Sequence, residues 1–230
     1  LIDIQVTLPV NFEVNKLSSL RDEISDKYPQ EQALREIKGG LKFEDGKASA
    51  PEVTDTLLGF RYDSQDKKQI VQFRKNGFTF SRIKPYETWE DLKAEGLLLW
   101  GKYKNLTNPN ILRVALRYIN KINISNSNSD LSYYVNNPPQ VPQDLPQDIS
   151  GYLSRVTITK PSIGATAIIT QAVDPSSTEL GPLILDIDVY KVSSNIFKEA
   201  DAISLLDELR NFKNDIFFGI ITDNMVEVYK

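Results

Sequence analysis

Leu112-Arg113-Val114-Ala115-Leu116-Arg117-Tyr118-Ile119-Asn120-Lys121-Ile122-Asn123-Ile124 lies near the middle of the 230-residue chain. Its side chains fall into two alternating sets. One holds Val114, Leu116, Tyr118, Asn120 and Ile122; the other holds Arg113, Ala115, Arg117, Ile119 and Lys121. Period-two alternation rich in β-branched and aromatic residues predicts a half-buried antiparallel strand, the longest of the chain. The second set places two arginines on a strand expected to be central, and buried charge requires a partner.

Upstream, Asp3 to Phe12 reads as a first strand, with Pro9 favouring an edge or a bend. Asn15 is the expected cap of a helix carrying Leu17, Leu20, Ile24 and Tyr28, stopped by Pro29. Gln30 to Ala50 has no clear period; Gly39-Gly40 and Asp45-Gly46 flank a short candidate strand, Leu41 to Phe43. Leu57 to Tyr62 and Gln69 to Arg74 read as strands joined by a polar turn. Asn76-Gly77 then predicts a hairpin into Phe78 to Ile83, since both residues tolerate positive φ. Thr88 with Asp91 approximates a capping box, and Trp89, Leu92, Leu99 and Tyr103 mark the buried face of the helix that follows. Gly96 on that face invites close approach of another element.

Downstream, Asp130 is expected to cap a short helix, Leu131 to Val135. Asn136 to Asp148 holds Pro138, Pro139, Pro142 and Pro146 and reads as an extended arm. Strands are expected at Gly151 to Thr159, Ala165 to Val173 and Leu183 to Val192, with a turn at Asp174-Pro175-Ser176-Ser177. A last helix, capped by Asp201, spans Ala202 to Ile221 with Leu205, Leu209, Phe212, Ile216 and Ile220 as its stripe. Met225 to Tyr229 reads as a short terminal strand. The sum is an α+β protein with mainly antiparallel sheet. Two α+β halves, 1–108 and 109–230, either separate or parts of one continuous domain, share a β-α-β-β-β-α order, which predicts an internal duplication with a long helix covering each sheet.

Composition excludes much chemistry. The chain has no Cys and no His, so thiolate and imidazole metal ligands, cysteine nucleophiles and Ser-His-Asp triads are absent from it. Net charge is −4 and the isoelectric point is near 5.1, which argues against nucleic acid as a partner. No apolar run approaches the roughly 18–20 residues of a membrane span. A cytoplasmic protein with no cofactor is the expectation. Asn105-Leu106-Thr107 and Asn123-Ile124-Ser125 fit the glycosylation sequon, a short motif.

Several segments taken together have a family likeness. Tyr28-Pro29, Phe80 through Pro85-Tyr86 and Trp89, Arg113 to Asn120 with its Arg117-Tyr118-Ile119-Asn120 core, Leu185-Asp186-Ile187-Asp188, and the closing helix through Phe217 and Ile221-Thr222 occur in that order. The chain thereby resembles a sporadically distributed family of uncharacterised prokaryotic proteins of about 250 residues. The resemblance implies a bacterial or archaeal origin and supplies no activity and no catalytic residue.

The candidate ligand-binding residues are Arg113, Arg117, Asp186 and Asp188. The two aspartates share one face of their strand, about 7 Å apart, and the arginines share the polar face of theirs. Cross-strand ion pairing that fixes register is the first expectation; an arginine clamp for an anionic group is the second. Asp174, Asp186, Asp188 and Lys191 suggest a metal nuclease, but Lys191 falls on the wrong strand face for it. Phe73, Phe78, Phe80, Tyr86, Trp89 and Trp100 read as core before they read as a base-stacking platform. Lys67-Lys68 with Arg74-Lys75 reads as the solvated end of a hairpin, and Tyr133-Tyr134 as a partner surface. The expected function is a non-enzymatic protein-binding or regulatory module with no catalytic and no metal residues. An anion or nucleotide binder or an enzyme built on the Arg/Asp cluster, and nucleic-acid binding on a saddle-like sheet, are the alternatives.

Overall fold

The computed structural model describes the chain except residues 41–42, 45–46, 49–51, 85–87, 125–129, 174–180 and 229–230. It divides into two compact units, Leu1–Arg113 with Ser194–Phe197, and Val114–Ser193 with Lys198–Lys230. The architecture is α+β, with nine antiparallel sheet strands, a separate two-residue ribbon and four α-helices among the described residues.

The first unit opens with β1 (Ile2–Thr7), then a 3-10 helix (Val14–Leu20) that runs into α1 (Arg21–Ile24). β2 (Gln30–Gly40), the ribbon strands β3 (Phe43–Glu44) and β4 (Lys47–Ala48), β5 (Glu52–Asp63), β6 (Gln69–Arg74), β7 (Gly77–Arg82) and α2 (Trp89–Thr107) follow. The sheet order is β2-β5-β6-β7-β1. β8 (Asn110–Ile122) begins here and continues into the second unit, which adds a 3-10 turn (Leu131–Tyr133), β9 (Tyr152–Lys160), β10 (Ala165–Val173), β11 (Leu183–Phe197), α3 (Glu199–Ile220) and α4 (Asp223–Val228). Its order is β8-β11-β10-β9.

Alternation sorts each sheet into an apolar and a polar side. In the first unit Ile2 faces Phe80 and Ile4 faces Phe78 across β1 and β7, while Phe73 faces Phe78 across β6 and β7. Phe73, Phe78 and Phe80 are buried, as are Trp89, Leu92, Leu99, Trp100 and Tyr103 of α2. Tyr103 stacks on Phe73 at 6.0 Å between centroids, and Trp100 meets Phe78 edge-on at 5.8 Å. Each such ring contributes on the order of 2–3 kcal/mol through burial. Gly96 lets α2 approach closely; a β-carbon there would lie 2.8 Å from Ile2 Cδ1. Thr88 caps the helix by accepting from the Asp91 N–H at 3.1 Å, and Asn108, at φ 44, ends it. In the second unit Ala165, Ala167, Ile169 and Val173 of β10 and Leu183, Leu185, Ile187 and Val189 of β11 make the buried side. Ala202, Leu205, Leu206, Leu209, Phe212, Ile216 and Phe217 make the buried stripe of α3.

Several expectations need correction. The region after Pro29 contains an eleven-residue strand, β2, whose register slips at Leu34/Arg35. The extra residue of that slip is Leu58 of β5, and what hides the period of β2 is its run of polar and charged side chains. The candidate strand at Leu41 to Phe43 lies partly outside the described residues; β3 begins at Phe43. Asn15 is not a cap: the first helix is 3-10, preceded by Glu13, with no side-chain cap bond. Asp201 likewise sits inside the first turn of α3, which starts one residue after Lys198. Met225 belongs to a helix, not a strand, because the Met225 and Val226 N–H groups both turn back to the Thr222 carbonyl and Met225 is buried. The β6–β7 loop is Lys75-Asn76, since Arg74 pairs with Gly77. Neither Asn76 nor Gly77 has positive φ. Gly77 is needed for another reason: a β-carbon there would come within 2.7 Å of the Ile4 carbonyl oxygen on β1. The turn cluster 174–177 and the sequon at Ser125 lie outside the described residues.

Two glycines predict opposite outcomes. Gly59 has φ +152, and a β-carbon there would sit 2.0 Å from the Phe73 carbonyl oxygen. Gly59→Ala should destabilise the protein by about 2–4 kcal/mol. Gly101, within α2, has no atom within 4 Å of its would-be β-carbon, so Gly101→Ala should stabilise by about 0.5–1 kcal/mol. Urea unfolding midpoints of the two variants should move in opposite directions.

Candidate functional site

The polar side of the first unit is built from strand register. Asp3 lies opposite Thr79, Thr79 opposite Gln72, and Gln72 opposite Arg61, so the four share one row. Asp3 Oδ2 accepts from Thr79 Oγ1 at 2.8 Å and from Arg74 Nη2 at 3.0 Å; Arg74 Nη2 also donates to Thr79 Oγ1 at 2.7 Å. Arg113 Nη1 donates to Asp3 Oδ1 at 3.0 Å. One carboxylate thus serves two guanidiniums, and all three side chains are no more than 26% exposed. Arg74 Nε is buried without a hydrogen-bond partner. Arg61 holds Asp63 two residues along by a bidentate pair at 2.6 and 2.8 Å.

In the second unit Arg117 grips Asp186 with both arms of its fork: Nε to Oδ1 at 2.9 Å and Nη2 to Oδ2 at 2.6 Å. Its pKa is raised, first by the hydrogen bond to Asp186 and further by the charges of Asp186 and Asp188. The pair is half exposed on the arginine side, 47% against 17%, so screening keeps its contribution small. Asp186 stands opposite Thr170, and Asp188 opposite Ile168, on the polar side of β11. Of the four residues expected to cluster, Arg117 and Asp186 are therefore brought together as a β8–β11 lock. Arg113 has a carboxylate partner the sequence did not suggest, Asp3. The signal for Asp3 was its place between Ile2 and Ile4 in an alternating strand.

Other candidates dissolve into structure. Lys191 lies beside the β9–β10 turn, its Cε 3.5 Å from where a Gly164 β-carbon would be; Asp174 is outside the described residues. Among the described residues there is no group of acidic side chains arranged to hold a metal. The aromatics Phe73, Phe78, Phe80, Trp89 and Trp100 are core, and Tyr86 is outside the described residues. Arg74 is not the solvated end of a hairpin but part of the Asp3 cluster. Tyr134 is buried, and Tyr133 is half exposed and meets it edge-on. An open depression of about 530 Å³ in the first unit is lined in part by Lys27, Gln69, Arg82 and Glu95. Its charges are engaged locally: Lys27 Nζ lies 2.8 Å from Glu95, whose other oxygen accepts from Tyr28 Oη at 2.7 Å.

The sheet edges differ in kind. β2 ends the strand order of the first unit and carries Glu31, Arg35, Glu36 and Lys38, with a register shift against β5 at Leu34/Arg35. Arg35 is bound to Asp55 at 2.7 Å and Lys38 to Glu36 at 3.0 Å. Charges and bulges are the usual protection of an edge against added strands. β9 ends the strand order of the second unit and has little of this. Its nine residues pair with β10 in unbroken register, and Leu153 through Thr159 are all exposed. Leu153 is 75% exposed and Val156 50%. No described strand pairs with its outer side.

Among the described residues, Lys213 of α3 is the one cation whose titration is moved down toward neutral pH. Its Nζ sits 4.2 Å over the Tyr118 ring and 5.9 Å from that of Phe217. Burial, with Arg210 adding repulsion, pushes its pKa down to about 8.

No family model, no curated protein and no solved structure matches this chain.

Two measurements test these assignments. Arg117→Leu should cost less than about 1 kcal/mol. Asp3→Asn, which strips two partly buried guanidiniums of their anion, should cost about 2 kcal/mol or more; urea unfolding at 0.1 M salt ranks them, and a reversed order refutes the assignment. For Lys213, the folded pKa lies below the roughly 10.4 of an exposed lysine. Between pH 8 and 10 the unfolded chain therefore binds more protons, and stability rises with pH. The stability difference between the wild-type protein and Lys213→Met should grow in favour of wild type by about 1 kcal/mol from pH 7.5 to 9.5. A flat difference would show that Lys213 titrates normally.

Proposed function

We propose that this chain is a non-enzymatic protein-binding module, and that it takes its partner at the outer edge of β9. The observation that carries this is the bare edge itself: nine residues in regular register, rich in β-branched side chains, with neither bulge nor acidic residue. An edge left in that state pairs readily with another extended chain through main-chain hydrogen bonds. The engaged polar sides support the same choice. Arg113 and Arg117 already hold carboxylates, which leaves an anion or nucleotide clamp on Arg113, Arg117, Asp186 and Asp188 with less support than a structural role. A saddle of nucleic-acid-binding sheet has less support still, given the net charge of −4.

The strand orders lend partial support to reading the chain as two copies of one β-α-β-β-β-α plan: β8 to α3 follows it, and the first unit has one sheet strand more, β2. In each unit the first strand lies beside the last, β1 beside β7 and β8 beside β11, and the strands between run outward and return. Counted outward from those first strands, β9 matches β5, and β2 is one strand further out, so the guarded edge belongs to a strand that the second unit lacks among the described residues. The likeness to the sporadically distributed prokaryotic family adds an expected bacterial or archaeal cytoplasmic setting and no activity.

Photo-cross-linking from the native host tests the proposal. A cross-linking residue at Leu153 should give discrete protein adducts, and one at Ile37, exposed on β2, should not. Backbone N–H groups point alternately inward and outward along a strand, so one of Thr157→Pro and Ile158→Pro removes an outward donor. That variant should fold and lose the adducts. Adducts that persist in both proline variants would remove β9 as the docking edge.

A further inference from the structure

We infer that the segment β9 accepts is an acidic extended strand of a partner protein, alternating apolar and carboxylate side chains, with a carboxylate set against Arg155. This rests on the reading of β9 as the docking edge and adds the chemistry of the occupant.

Residues directly opposite in neighbouring strands share a sheet side. The register with β10 therefore places Arg155, with Leu153, Thr157 and Thr159, on the polar side, and Val156 and Ile158 on the apolar side. Val156 and Ile158 are 50% and 37% exposed, so an added strand would bury apolar side chains against them. Alternate residues of that strand would face Arg155 and Thr157.

Charge decides the second half of the pattern. Between Tyr152 and Lys160 the strand has two cations and no acid. Lys160 is answered within the unit by Asp215 of α3 at 2.8 Å. Arg155 is exposed, and its side chain makes no hydrogen bond or ion pair with the described residues. The acid in its own cross-strand row, Asp186 beyond Thr170, is held by Arg117. It also lies two strand spacings away, roughly 10 Å. A second copy of this chain pairing through β9 would bring another Arg155 and another Lys160 and again no carboxylate. A carboxylate on a different chain is the partner that matches, and charges facing across strands favour opposite signs.

The test uses the full chain and two fluorescent synthetic heptapeptides, one alternating valine with glutamate and one alternating valine with lysine. Anisotropy at low salt should show the glutamate peptide binding about tenfold tighter or better, a gap of about 1.4 kcal/mol. Arg155→Glu, a change at an exposed position, should reverse the preference. Equal binding of both peptides, lost in the outward-facing proline variant, would overturn the acidic strand while sparing the docking edge. Binding of neither peptide, with cross-linking from Leu153 intact, would do the same; loss of both removes edge and occupant together. Sedimentation showing a dimer that Leu153→Lys dissolves would name a second copy as the occupant and overturn the inference.

Discussion

The carboxylate of Asp3 is the constraint around which the first unit's sheet is arranged. A sheet with one apolar and one polar side can bury the first cheaply, but a guanidinium on the second must find an anion before its strand can lie flat among neighbours. Asp3 on β1 meets Arg74 from β6, Thr79 from β7 and Arg113 from the start of β8. Removing water from these groups is tolerated because each oxygen is matched by a donor. The same logic, less buried, joins Arg117 to Asp186 in the second unit. Such pairs fix register more than they add stability, since a slip of one residue would carry every charge to the apolar side.

With the arginines engaged, the strongest chemical contrast left on the strands is between the two ends of the strand orders. β2 meets a register shift against β5 and is studded with paired charges. β9 is straight in register and rich in threonine and branched apolar residues, and its Arg155 makes no ion pair with the described residues. Two edges of the same element type thus present opposite surfaces to other chains.

Close backbone approach is the other organising demand. Gly59, Gly77 and Gly96 each stand where a β-carbon would meet a neighbour at 2.0 to 2.8 Å. None occupies the turn that glycine usually announces. Gly77 looks in sequence like half of an Asn-Gly turn and proves to be a strand residue beneath the β1 backbone. Gly59 sits where β5 carries one residue more than β2, the source of the register shift between them.

Much of the fold was legible from residues alone. The alternation of β8, the strands β6 and β10, the Thr88 cap and the buried face of α2 are local patterns, written in periods of two and 3.6 that neighbouring residues enforce by themselves. The absence of His and Cys likewise bounded the chemistry without any structure. Sequence could not assign the helix starts at Lys198 and Glu13, where no side chain caps, nor the helical end at Met225, set by a turn onto Thr222. It paired Arg117 with an aspartate on β11 correctly but could not see Asp3, 110 residues from Arg113. Nor could it tell a guarded edge from a bare one, because an edge is defined by the strand that is missing beside it. Local periodicity decides what each segment is; which segments become neighbours, and which is left without one, is decided when the whole chain shares out its burial and its charge.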